Sequence, residues 1–182
     1  MNVGGHSILP CFSQEQVKGI NKEIRKHIYE KEPDTLTAGG ATKKGDFFPI
    51  PLSPLLDVLY PWLYKCQIVN RDFFGYNIDW KFHLDSLNYN VYGVGGEYDW
   101  HIDANTKGVS ASEIKLTCLL NLSEEPYGGG DFYMMNHGDK KTCQFNSGET
   151  LIFTSLWAHK VTPVTKGERI TLTYWATGPS WR

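Results

Sequence analysis

No run of about eighteen apolar residues occurs anywhere in this chain, which argues against a membrane-crossing helix. Residues 1–12 lack a basic stretch followed by an apolar one, so no secretory signal is expected there. Cysteine is scarce. Cys11, Cys66, Cys118 and Cys143 form no CxxC pair and no framework spacing, so free thiols in a reducing cytosol are expected rather than a disulfide scaffold. Long basic runs are missing too, and a net charge of −2 gives no bulk attraction for nucleic acid. Glycine clusters at Gly95-Gly96 and Gly128-Gly129-Gly130, but neither cluster leads from a strand into a helix. They read as turns at a pocket rim, not as phosphate loops.

What is present suits one globular domain over residues 1–182, with 41% hydrophobic and 21% charged residues. Helical support is expected over about residues 10–75. Ser13 with Gln16 forms a capping box, Phe12 and Val17 take staple positions, and Val17, Ile20, Ile24 and Ile28 recur at helical steps up to Pro33. Residues 34–51, rich in glycine and proline, read as a loop with room for a short strand. Ser53-Pro54 is expected to cap and open a second helix with Leu55, Leu56, Leu59 and Leu63 on its apolar face, kinked or split at Pro61. From Trp80 the period changes to two. Trp80, Phe82 and Leu84 alternate, as do Leu87, Tyr89 and Val91, and further strands fit 114–122, 131–135, 142–145, 150–154, 157–162 and 168–177. Helices followed by many short strands predict a mainly β (α+β) fold. Its core, over about residues 80–178, would be a double-stranded β-helix, or jelly roll, buttressed by N-terminal helices.

One short pattern stands apart: His101-Ile102-Asp103, followed by His159 and then Arg169. Two imidazoles and a carboxylate can take three positions on an octahedral Fe(II) and leave three open. Side chains at i and i+2 of a strand share a face, so His101 and Asp103 are expected to reach one metal from one strand, with sheet folding returning His159 beside them. The bland reading is a chance surface pair. Arg169 would offer a bidentate fork to a carboxylate at the far end of the pocket; the alternative is a solvated arginine beside the Lys166-Gly167-Glu168 turn. Alternation places Arg169, Thr171, Thr173 and Trp175 on one face, with Ile170, Leu172 and Tyr174 on the other. It likewise aligns Thr117, Leu119 and Asn121. His6, His27, His83 and His137 have no matching partners and are not assigned to metal; His137 reads as a hairpin-turn residue. A carboxylate at Asp103 also argues against halogenation, since a halide would need its coordination position.

Four segments carry a family resemblance in the right order. They are Tyr92-Gly93-Val94-Gly95-Gly96-Glu97-Tyr98-Asp99-Trp100-His101-Ile102-Asp103, then Tyr127-Gly128-Gly129-Gly130-Asp131-Phe132, then His159-Lys160-Val161-Thr162-Pro163-Val164-Thr165-Lys166-Gly167-Glu168-Arg169, and Trp175. Together they resemble the prolyl 4-hydroxylase branch of the Fe(II)/2-oxoglutarate dioxygenases, in its bacterial and phage type, over roughly residues 80–178. The resemblance implies Fe(II) on His101, Asp103 and His159, with 2-oxoglutarate and O₂ as cosubstrates, and it admits ascorbate as an accessory. Arg169 would anchor 2-oxoglutarate, with Thr173 and Trp175 lining its pocket. Tyr92 matches a tyrosine that helps hold the cosubstrate, and reads equally well as a core tyrosine at a strand end. Some relatives carry a tyrosine near Leu119; its absence leaves the second donor to the distal carboxylate open, with Thr117 as the candidate. Collagen-type enzymes usually have lysine where this chain has Arg169, so their substrate class does not carry over.

The expected activity is hydroxylation of a C–H bond, with peptidyl proline in a flexible segment as the leading substrate. Tyr98, Trp100 and Trp157 are near enough to the ligands in sequence to form an aromatic groove for a polyproline II strand, or they are pocket wall and core. Another protein side chain, a free amino acid or other small molecule, and a nucleobase stay open, because the loops that choose substrate vary most. A non-catalytic cupin-like ligand-binding module is the rival from another class, and the triad with Arg169 speaks against it. A His₂Asp zinc hydrolase would need a general base beside the metal, and no HExxH-type element is present.

Overall fold

Period-two alternation through the second half builds two antiparallel sheets whose inner faces meet, with helices covering the outside of one. The computed structural model describes residues 5–29, 40–82, 85–104, 112–136 and 138–181. Among these, the strands are β1 (His6–Pro10), β2 (Lys43–Lys44), β3 (Asp46–Pro51), β4 (Ser86–Tyr92), β5 (Glu97–His101), β6 (Glu113–Asn121) and β7 (Gly128–Gly129). They continue with β8 (Phe132–Asn136), β9 (Asp139–Thr142), β10 (Glu149–Thr154), β11 (Ala158–Val161), β12 (Val164–Lys166) and β13 (Arg169–Gly178). The α-helices are α1 (Gln14–Arg25) and α2 (Leu56–Val69). The larger sheet runs β1-β10-β6-β13-β4-β3, the smaller β2-β5-β11-β8-β9, and β12 pairs with β7. This is the double-stranded β-helix that the strand pattern predicts.

Side-chain parity decides what each face does. On β13, Ile170, Leu172 and Tyr174 turn outward and join Val17, Ile20 and Ile24 of α1 and Leu59, Trp62 and Leu63 of α2 in the main core. The opposite parity faces the space between the sheets, where Phe47, Tyr92, Leu119, Phe132, Phe153 and Val161 form a second apolar layer. The Ser13–Gln16 capping box is present in full. Asn21, wholly buried on α1, donates from Nδ2 to the Leu122 carbonyl at 2.8 Å and accepts from the Tyr89 hydroxyl at 3.0 Å. An amide buried without those partners would cost about 1–3 kcal/mol, so the pairings fix where the helix sits on the sheet.

Several local expectations are corrected. Ser53 makes no side-chain cap; it opens a 3₁₀ turn over Ser53–Leu55 that leads into α2. Pro61 lies inside α2 without splitting it, because the buried Leu59, Trp62, Leu63 and Cys66 and the Trp62 Nε1 bond to Thr150 Oγ1 at 2.8 Å hold the helix to the sheet. The segment 34–51 holds β2 and β3; Pro49 and Pro51 are tolerated in β3 because it is an edge strand. Trp80 and Phe82 belong to no strand. Their rings pack on Tyr174 at 6.2 and 6.0 Å, so their alternation reflects a loop lying on the core. The strand expected at 142–145 is β9, over Asp139–Thr142. Cys143 and Phe145 are buried beyond the end of that exposed ladder. Pro33, His83, Leu84 and His137 lie outside the described residues. Among the described residues, no helix is long and apolar enough to cross a membrane.

Candidate metal and cosubstrate site

Strands β5 and β11 are neighbours in the smaller sheet, and their register sets His101 directly opposite His159. Directly opposed residues project to the same face, and here the imidazole centroids lie 4.1 Å apart. Asp103 arrives differently from the expectation. β5 ends at His101, so Asp103 does not share the strand. The N–H groups of Asp103 and Ala104 both donate to the Ser155 carbonyl, at 3.2 and 3.1 Å, and this turn carries the carboxylate back over the imidazoles. Asp103 Oδ1 lies 3.7 Å from His101 Nε2, and Oδ2 lies 3.5 Å from His159 Nε2. One ligand atom from each residue falls within 4.8 Å of the others, a set able to hold a metal ion.

The surroundings aim these ligands. His101 Nδ1 is 2.7 Å from the Asp99 carbonyl and His159 Nδ1 is 2.9 Å from the Trp157 carbonyl, so each Nδ1–H donates to backbone and leaves an Nε2 lone pair at the shared point. Tyr98 stacks on His101 at 3.5 Å, while Phe132 and Phe153 enclose His159. Burial, and then the neighbouring His159, push the His101 imidazole down to about 4 against the pull of Asp103. It is therefore neutral at neutral pH, the form that ligates a metal.

Thr117 Oγ1 donates to Asp103 Oδ2 at 2.5 Å. This corrects its expected place as a donor to the cosubstrate, because a hydroxyl has one hydrogen and this one is committed to the metal end of the pocket. Thr117→Val keeps the shape and deletes the bond. Outer partners of metal ligands are worth roughly 10- to 100-fold in affinity, so a metal titration should show a loss of that order with an unchanged fold.

From the triad, a cavity follows the inner face of β13. Trp175 stands opposite Thr117 at the metal end, Thr173 opposite Leu119, and Arg169 opposite Tyr92 at the far end. Asn90 Nδ2 donates to Thr173 Oγ1 at 2.9 Å and more weakly to Thr171 Oγ1 at 3.4 Å, giving the floor a polar surface. Arg169 is 1% exposed, yet its Nε and Nη2 have no hydrogen-bond partner, and neither has Trp175 Nε1. A buried guanidinium without an acceptor is costly, so the pocket is shaped for an anion that supplies one, and a carboxylate matches its fork. Burial raises the Tyr92 phenol to about 12 despite the opposing pull of Arg169, which keeps it a neutral donor. Gly130 explains part of the Tyr127–Phe132 motif: at φ +64°, a Cβ there would lie 2.9 Å from Arg169 Cδ.

His101, Asp103, His159, Arg169, Tyr92, Thr117, Thr173, Trp175 and Tyr98 all line this one cavity. Trp100 and Trp157 do not. Lys160 Nζ sits 5.6 Å from the Trp100 ring centroid, and Trp157 packs against the core between the sheets. Sequence reasoning missed Asn88, Asn90, Phe132 and Lys43 as lining residues. The asparagines were within reach, since they share strand parity with Tyr92. Lys43 carried no signal, because it comes from the segment read as a loop and meets the site only by pairing with Tyr98.

A β-helix enclosing a two-histidine, one-carboxylate centre and a buried arginine anchor defines a metal-dependent oxygenase that uses an acidic cosubstrate. Residues 87–177 match the model of the 2OG-Fe(II) oxygenase superfamily, and the chain belongs to it, an oxidoreductase family using Fe(II), 2-oxoglutarate and O₂. A PKHD-type hydroxylase of Janthinobacterium sp. (strain Marseille) is 29% identical over 165 residues, 88% of this chain and 72% of that protein. Another from Alteromonas mediterranea is 33% identical over 93 residues, 48% of this chain and 41% of that protein. The chain thus spans most of the first relative and less than half of the second. Among solved structures, a Pseudomonas putida prolyl-4-hydroxylase is similar in fold, with a TM-score of 0.72 at 19% identity, covering 98% of this chain and 95% of that one.

Proposed function

We propose that this chain hydroxylates a C–H bond of a peptidyl proline, with Fe(II) held by His101, Asp103 and His159 and 2-oxoglutarate anchored by Arg169. The observation that carries the reading is the pairing, in one cavity, of a convergent triad with a buried guanidinium that lacks an acceptor. When bound, iron with 2-oxoglutarate and O₂ supplies the oxidant that converts C–H to C–OH, releasing succinate and CO₂. The chain's own residues orient and exclude water. The Asp99 and Trp157 carbonyls hold the imidazole tautomers, Thr117 steadies Asp103, and Tyr92 lies against Arg169, whose Cζ is 5.4 Å from its ring centroid. Thr173 and Trp175 line the cosubstrate end. Ascorbate would serve as the accessory reductant, and the unpaired cysteines suit the reducing cytosol in which we place the enzyme.

Support for a proline substrate comes from the relatives, which are PKHD-type hydroxylases and, in fold, a prolyl-4-hydroxylase. Half-buried Tyr98, stacked on His101, and the exposed Ile102, between His101 and Asp103 in the chain, offer apolar surface to a preformed polyproline strand. Incubation with Fe(II), 2-oxoglutarate and a panel of proline-containing peptides is expected to add the mass of one oxygen atom to proline and to stimulate succinate release. A panel that gives neither, while a free amino acid or nucleoside gives both, would overturn the proline assignment and leave the oxygenase class standing.

A further inference from the structure

One side of the metal cavity is occupied neither by the triad nor by Arg169. It lies where β2 and β3, edge strands of the smaller and the larger sheet, follow each other across Gly45. Lys43 of β2 and Asn88 of β4 line the cavity here.

Asn88 is 8% exposed, yet its carboxamide makes no hydrogen bond to any described residue. Asn90, next on the same strand face, differs: its Nδ2 is committed to Thr173 Oγ1 at 2.9 Å and to the Asn88 carbonyl at 3.3 Å. A buried amide without a partner is costly unless a molecule entering the cavity supplies one. The distal carboxylate of 2-oxoglutarate is too far away for that. Tyr92 stands opposite Arg169, and Asn88 lies four residues back along β4, opposite Thr173, roughly 13 Å away at the rise of a strand.

A positive charge reaches the same side from the other sheet. Lys43 is paired with Tyr98, whose ring stacks on the ligand His101, and Lys43 Nζ lies 3.9 Å from the Phe47 ring centroid. Phe47 is paired with Asn90, so the ammonium spans the gap between the sheets. A ring face attracts the charge as a whole, while an ammonium carries three N–H donors for polar groups. Among the described lining residues Asp103 is the sole carboxylate, and it belongs to the metal set. A divalent metal and the dianionic cosubstrate cancel each other, so Lys43, Arg169 and Asp103 leave the lining one positive charge in excess. Donors in such a cavity favour an acceptor that is negative.

We infer that Lys43 and Asn88 read a carboxylate on the substrate, so that the target residue carries one close by. Its source is the side chain of a flanking Asp or Glu, a free C-terminus or a free amino acid. The inference rests on the proposed hydroxylation at the triad and names the substrate class for it. Lys43 supplies the charge, and Asn88 Nδ2 donates the hydrogen bond that orients the group. A peptidyl proline has no N–H of its own, so it suits a wall that offers donors, and the carboxylate decides which proline is presented.

The test is succinate release from three matched pairs: a peptide with Glu beside proline and its Gln counterpart, a peptide ending in proline as free acid and as amide, and free L-proline with L-prolinamide. In at least one pair the acid is expected to exceed its partner in kcat/KM by about tenfold or more, the scale of a hydrogen bond to a charged group. The pair that shows the preference identifies the source of the carboxylate. Lys43→Met should erase the preference through the KM of the acid, and its Zn(II)-loaded form should bind 2-oxoglutarate within about twofold of wild type. Asn88→Asp, which keeps the side-chain shape, should turn the preference toward the amide; Lys43→Gln replaces the methionine variant should that fail to fold. Equal kcat/KM for acid and amide in every pair overturns the inference and leaves the proline reading standing. Equal weakening of acid and amide in Lys43→Met, or a loss of 2-oxoglutarate affinity in its place, overturns it too. If no proline compound is turned over, the same acid and amide comparison is made with the other amino acids. A preference for acid there overturns the proline reading alone, and no turnover of any acid overturns both.

Discussion

His159→Ala is expected to abolish turnover and to strip the protein of iron in the same step. His159 is 3% exposed, faces His101 across the β5–β11 ladder and aims Nε2 at the Asp103 carboxylate from 3.5 Å. Without it, two ligands remain, and they cannot define an open coordination face. The loss in metal affinity should exceed the roughly 10- to 100-fold typical of outer partners. Because the ring is enclosed by Phe132 and Phe153, alanine also leaves a cavity, so His159→Gln, which nearly keeps the volume, is the control for stability. Metal content after gel filtration and succinate release are the two readouts. Full succinate formation in the alanine variant, with iron retained, would sink the triad assignment.

Arg169→Ala should raise the 2-oxoglutarate requirement steeply. Truncating one partner of a buried charge-assisted pair costs roughly 2–5 kcal/mol, an increase in Michaelis constant of about 30-fold or more. Arg169→Lys should retain part of the activity, because an ammonium keeps the charge and loses the fork. The same residue should behave in the opposite sense without cosubstrate. Its Nε and Nη2 are buried with no acceptor, so the wild type carries a desolvation cost that a bound carboxylate removes. Thermal denaturation should therefore show the wild type, and not Arg169→Ala, gaining stability when 2-oxoglutarate is added to the Zn(II)-loaded protein. An unchanged Michaelis constant together with an unchanged ligand-induced shift would exclude the anchoring role.

Much of this was legible from residue types and periodicity. The capping box at Ser13, the apolar stripe of α1 and the parity of β13 follow from local rules, and the structure obeys them because nothing distant competes. Local rules misled where tertiary contacts override propensity. Proline-rich β3 exists because β4 offers it an edge, α2 runs through Pro61 because its buried face is strong, and the 142–145 alternation reports burial beyond the end of a ladder. Within the site, Thr117 was singled out by its strand face, but only the turn after β5 shows that its hydroxyl serves Asp103. Trp100 and Trp157 were singled out by closeness in sequence to the ligands. Trp100 adjoins His101 on β5, and adjacent residues on a strand point to opposite faces; Trp157 precedes β11, which begins at Ala158, so strand parity does not bring it to the cavity that His159 lines.

The amino-acid sequence by itself determined the chemistry on offer: two imidazoles, a carboxylate and a guanidinium, in an order and parity that put each on a strand or beside one. Side-chain identity and strand period are local properties, and no folding is needed to read them. Only the tertiary structure decided that His101 stands opposite His159, that a bond to the Ser155 carbonyl swings Asp103 between them, and that Arg169 is left without an acceptor at the wall of a second cavity. Those facts depend on the register between strands far apart in the chain and on where turns leave space. Register is fixed by the burial of whole faces at once, not by any residue that can be read singly.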